Sequence, residues 1–175
     1  TQGVSSAASD VYKRQALIVD LRSNPGGMLT SVCSMLDDIL PEGLLVYTED
    51  KDGNRQDYNS TDDKTLDLPL AVLVNGNSAS ASEIFAGAIQ DRKAGTIIGT
   101  TTYGKGVVQS ILSLKDGSAF KLTTSRYFTP SGTCIQGIGI EPDVEIEYEF
   151  TGPEDATYSE EYDNQIQKAL DVLQQ

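Results

Sequence analysis

Two short apolar runs, ALIVDL at 16–21 and LPLAVLV at 68–74, each break into an asparagine-bearing turn and then into a helical pattern. This alternation of buried strand, turn and helix constrains the chain more than any other feature. Strands that are apolar without interruption need cover on both faces, and a parallel sheet with helices packed against it supplies that cover. After the first run, Asn24-Pro25-Gly26-Gly27 is a strong turn signal. A helix is then predicted over 28–40, with Leu29, Val32, Cys33, Leu36 and Leu40 on one face and Pro41 closing it. After the second, Asn75-Gly76-Asn77 leads into a helix predicted over 80–92, with Ile84, Phe85, Ala88 and Ile89 inward. Thr96–Gly99 reads as a further strand. The order strand, helix, strand, helix, strand is that of an α/β fold with parallel pairing.

The remaining elements are mostly β. Leu44–Glu49 and Arg55–Ser60 read as a hairpin around Asp52-Gly53. Val107–Leu114 and Ala119–Phe128 read as strands joined at Asp116-Gly117, and Gly137–Ile140 as a glycine-laced extended stretch. A closing amphipathic helix is expected over 160–173, with Ile166, Leu170 and Leu173 inward. Residues 1–15 are polar and without period, and read as a disordered or foreign leader. Residues 16–175 then form one domain, a length that suits a single buried core.

Composition removes whole classes of chemistry. The chain has no histidine, which excludes Ser-His-Asp and Cys-His nucleophile systems and histidine-based zinc sites. Twenty-six acidic residues against 13 basic ones give a formal charge of −13, so the surface repels phosphate backbones and nucleic-acid binding is not expected. No apolar run approaches the roughly 20 residues that span a bilayer, and no signal segment is visible. Cys33 and Cys134 have no metal-ligand spacing. Asp37-Asp38, Asp62-Asp63 and Glu160-Glu161 read as solvated acidic faces. No metal and no cofactor are therefore expected.

Three segments carry candidate chemistry. In Ser78-Ala79-Ser80-Ala81-Ser82-Glu83, a serine stands where a strand turns into a helix, beside N–H groups suited to a developing oxyanion. The same residues also fit a capping box, Ser80-x-x-Glu83, which needs no catalysis. Gly99-x-x-x-x-Gly104-Lys105-Gly106 nearly spells a phosphate-binding loop, but Gly106 replaces the hydroxyl that would hold magnesium, and a strand pattern follows where a helix should. A lysine between two glycines is alternatively a base: burial favours its neutral form, which can take a serine proton. Asp20-Leu21-Arg22-Ser23-Asn24-Pro25-Gly26-Gly27 ends in backbone N–H groups that could face an oxyanion.

Taken in order, ALIVDLRSNPGG, NGNSASASEIFAGAIQD, GTTTYGKGVVQ, DGSAFKLTTSRYFTPSG and GIGIEPD resemble the C-terminal processing peptidases, or tail-specific proteases. The likeness covers 16–144, and the tail helix DNQIQKALDVL is similar as well. It implies a crotonase-like or caseinolytic-protease-like α/β core with Ser80 as nucleophile, Lys105 as its base and Gln109 orienting the lysine. It also implies oxyanion donors at Gly26 and at the N–H of Ala81. The implied activity is cleavage of proteins near their C-termini through an acyl-enzyme, outside the cytoplasm and without a cofactor, on substrates with accessible C-termini. Homo-oligomerisation is left open. Family members usually carry a PDZ domain and a helical region ahead of the DLR-x-NPGG strand. The likeness starts at Ala16, so the alternative expectation is a silent or gated fragment that only binds peptides.

Overall fold

The computed structural model describes residues 15–61 and 65–174. The reading of 1–15 as a leader and of Asp62-Asp63 as acidic surface falls on residues outside those described, Gln15 excepted.

The strand–turn–helix alternation forms a four-stranded parallel sheet in the order β1-β4-β5-β8, from β1 (Leu17–Asp20), β4 (Leu70–Val74), β5 (Thr96–Gly99) and β8 (Val144–Glu145). All five residues of β4 are buried, as its unbroken apolar run requires. Its alternation assigns two cores. Leu70, Val72 and Val74 join the larger core under α1 (Leu29–Asp37) and α2 (Ala81–Asp91). Ala71 and Leu73 face the opposite side with Ala169 of α3 (Asn164–Leu173). Helix α2 is buried from Ala81 to Ile89, beyond the single stripe that its periodicity predicts.

A second, antiparallel sheet has the order β3-β2-β7-β6, from β2 (Gly43–Asp50), β3 (Arg55–Ser60), β6 (Val107–Ser113) and β7 (Ala119–Phe128). Tyr47 stacks on Phe128 across β2 and β7, with ring centroids 4.9 Å apart. The mixed α/β architecture agrees with the sequence reading. The segment after Lys105 is a strand, so the near-phosphate-loop sequence has no helix behind it to receive phosphate.

Two expectations are corrected. Leu170 is exposed, because the buried stripe of α3 runs through Gln165 and Ala169, with Ile166, Val172 and Leu173 flanking it. Gly137–Ile140 is not extended: Gly137 and Gly139 have φ of 75° and 81°, and a Cβ on Gly139 would collide with the Thr102 carbonyl.

Candidate active site

Loops from three neighbouring strands meet at the carboxyl edge of the parallel sheet, where α/β ligand sites form. They are 21–28 after β1, 75–80 after β4 and 100–106 after β5.

The serine-rich turn is sewn to the first loop. The Ser78 hydroxyl donates to the Leu21 carbonyl at 2.7 Å and accepts from the Asn75 N–H. The Ala79 N–H and the Ser82 hydroxyl both donate to the Asn24 carbonyl at 3.0 Å. Asn75 accepts from the Ser23 N–H, and its amide donates to the Ser23 hydroxyl. Ser78 and Ser82 are thus consumed in holding the turn, and Ser80 is the serine of the three left over.

Ser80 has φ 59° and ψ −116°, outside the extended region that an N-cap adopts. Left-handed backbone at a serine costs on the order of 1–3 kcal/mol and persists only where the surroundings enforce it. The glutamate half of the predicted capping box is present, with the Ser80 N–H donating to Glu83 Oε2 at 2.8 Å, while the Glu83 N–H donates to the Ser80 carbonyl rather than to its hydroxyl.

Glu83 does much more than close a cap. It is fully buried, and its carboxylate accepts four hydrogen bonds. Oε2 takes the N–H of Ser80 and the N–H of Lys105, each at 2.8 Å. Oε1 takes the Thr102 hydroxyl and the Gly104 N–H, each at 2.6 Å. The backbone nitrogens of Ser80 and Lys105 therefore lie no more than twice 2.8 Å apart, although 25 positions separate them in sequence. Thr102 in turn accepts from the Ile140 N–H, and Gly106 donates to the Gln136 side chain, so the lysine loop is tied down on both sides. No ion pair among the described residues engages the Lys105 amine, and both Ser80 and Lys105 are half-buried.

Gly26, with φ 88°, packs directly on this turn: a Cβ there would lie 2.7 Å from the Ala81 nitrogen. Its own N–H is already given to Asn24 Oδ1 at 2.9 Å. Gly26 thus keeps the Ala81 N–H open by lacking a side chain. Beside it lies a mostly apolar cavity of about 200 Å³, lined by Leu21, Met28, Val32, Met35 and Phe85. Gln109 does not join the group: its amide donates to Thr123 at 3.5 Å, and no hydrogen bond among the described residues links it to Lys105.

The geometry places a serine on an enforced turn, a lysine on the adjoining loop and a helix N-terminus at one point, an assembly suited to acyl transfer. The model of peptidase family S41 matches residues 1–146. The chain belongs to that family. It is 50% identical over 139 residues to a carboxy-terminal-processing protease of Bartonella bacilliformis, covering 77% of this chain and 32% of that protein. It is 40% identical over 162 residues to a carboxyl-terminal-processing protease of Synechocystis, covering 89% and 36%. Among solved structures, a photosystem II D1 C-terminal processing protease matches with a TM-score of 0.75 and 38% identity, over 81% of this chain and 37% of that one. The chain thus spans about a third of the length of these family members.

The sequence reading missed two groups. One is the bridging role of Glu83, visible beforehand only as a cap. The other is Arg22, which donates to Asp20, Asp163 and Gln165 and joins the first loop to the start of α3. Asp20 holds the Arg22 guanidinium well above its ordinary pKa, with Asp163 adding to this against the cost of burial. Burial works to raise the Asp163 carboxyl, but the Ile166 N–H and Arg22 outweigh it and hold the pKa below the ordinary value. The spacing Asp20-x-Arg22 was the available signal.

Proposed function

We propose that this chain holds the catalytic core of a serine endopeptidase that cuts proteins near their C-termini, with Ser80 as nucleophile and Lys105 as base. The observation that carries the proposal is the single buried Glu83 oxygen accepting the N–H groups of both residues. The neutral Lys105 amine takes the Ser80 hydroxyl proton as Oγ attacks the scissile carbonyl. The oxyanion forms against the Ala81 N–H, with the Gly27 N–H as second donor, since the Gly26 N–H is committed to Asn24. Collapse breaks the C–N bond, and Lys105 returns the proton to the leaving amine. Water then hydrolyses the ester by the same route, regenerating Ser80. Gln109 enters only if its long bond to Thr123 gives way. The apolar cavity beside Gly26 takes the side chain next to the cut.

The processing of C-terminal tails and a place outside the cytoplasm are carried over from the resemblance, and cell fractionation tests the second. Cleavage of tail-bearing protein substrates tests the first, in this chain and in a version extended to its relatives' length. Ser80→Ala and Lys105→Ala are expected to abolish turnover; substantial cleavage by either variant refutes the dyad.

A further inference from the structure

Strand β6 is the outermost strand of the antiparallel sheet and starts two residues after Lys105. Its outer edge has no partner strand among the described residues. Natural proteins guard such edges with charge, proline or cover. This one has none of the first two: 106–114, GVVQSILSL, contains no charged residue and no proline in a chain that is 22% charged.

The ribbon beyond is unsupported as well. β2 pairs with β7 only at 125–128, so from Gln109 to Thr123 the hairpin is two-stranded. Ile111, Leu112, Leu114, Phe120 and Leu122 are all exposed along it. A free two-stranded ribbon with this much exposed apolar surface gains from an added strand. Its charge also differs from the rest: residues 105–128 hold Lys105, Lys115, Lys121 and Arg126 against Asp116 alone, while the chain carries −13. Arg126 faces Glu49 across the strands, whereas Lys115 and Lys121 have no ion pair among the described residues.

We propose that the β6 edge is the docking strand for substrate, pairing main chain to main chain with an extended polypeptide segment whose free carboxyl end is drawn to Lys121. The occupant is substrate rather than another protein because the edge is continuous with the candidate site, beginning at the lysine loop. Lys121 stands across from Ile111, six residues beyond Lys105, or roughly 20 Å along an extended chain. Pairing through backbone groups tolerates varied side chains, and the lysine adds a preference for a negative terminus. The inference rests on the proposed activity but is tested without it.

The experiment uses the Ser80→Ala chain, which cannot turn over, and a fluorescent extended peptide of uncharged residues with a free C-terminus, followed by anisotropy. Methylating alternate peptide nitrogens is expected to weaken binding at least tenfold. Lys121→Glu is expected to weaken the free-acid peptide severalfold and leave its C-terminal amide unchanged. Equal binding of methylated and parent peptides overturns the proposal. So does a chain that self-associates through the hairpin in sedimentation and leaves no peptide site. If the wild-type chain labels at Ser80 but Ser80→Ala binds no peptide, the docking strand fails and the peptidase assignment stands. If peptide binds but the wild type neither labels nor cleaves, the docking strand stands and the assignment fails.

Discussion

Replacing Glu83 by glutamine isolates the interaction that holds the candidate dyad together. The carboxylate accepts four donors, and a carboxamide has one oxygen to offer in place of two. The better orientation points that oxygen at the N–H groups of Ser80 and Lys105. The amide nitrogen then faces Thr102, whose hydroxyl can turn from donor to acceptor, and the Gly104 N–H, which cannot. One buried N–H is orphaned, costing about 1–3 kcal/mol, and two bonds to a charged acceptor become neutral ones, costing about 0.5–1.5 kcal/mol each. The expected loss is about 2–6 kcal/mol, against the roughly 5–15 kcal/mol that stabilises an ordinary domain, so the variant is expected to fold with a lowered Tm. With the lysine loop released at Gly104, a displacement of about 1 Å between nucleophile and base lowers kcat on the order of 100-fold. Thermal unfolding and the rate of fluorophosphonate labelling at Ser80 are measured together. A lowered Tm with an unchanged labelling rate refutes the claim that Glu83 positions the dyad, because it shows a structural role only.

Other outcomes follow from the same contacts. Gly26→Ala puts a methyl 2.7 Å from the Ala81 nitrogen at a backbone φ of 88°, and is expected to reduce labelling of Ser80 far more than it lowers Tm. Asp163→Ala removes the N-cap of α3 and a buried partner of Arg22, and is expected to cost about 2–4 kcal/mol in denaturant unfolding. The pH dependence has a definite sign. The folded-state pKa of Asp163 is depressed, so its contribution is fully present above the ordinary carboxylate pKa of about 3.9 and is lost as pH falls toward the lower folded value. Acid unfolding of Asp163→Ala should therefore lack that part of the wild-type slope. Ser78→Ala deletes the bond to the Leu21 carbonyl and should slow labelling although Ser80 is intact.

The architecture was legible because strand and helix periods are local. The run 70–74 announces a strand buried on both faces, and its alternation alone divides Val72 from Leu73 into separate cores. The stripe of α3 was misread by one position, since the sequence could not show that a buried Gln165, held by Arg22 and the Ile146 carbonyl, belongs to the inward face. At the site, Ser80, Lys105 and Ala81 were legible as residue types at a strand–helix turn and a glycine-flanked loop. Their pairing was expected only from the family resemblance and not from the residues themselves, because the contact that joins their loops is Glu83 reaching from α2 across to 102–105, which leaves no period in sequence. The commitment of the Gly26 N–H to Asn24 was likewise hidden, since a double glycine looks the same whichever N–H is free.

Activation of Ser80 by Lys105 is open to a chemical test on the protein itself. The most direct measurement is fluorophosphonate labelling of the intact chain, mapped by peptide mass, for wild type and Lys105→Met. One label is expected, on Ser80, in the wild type and none in Lys105→Met with the fold retained. Labelling of Ser80 at an unchanged rate in Lys105→Met, or labels spread over other serines, contradicts it.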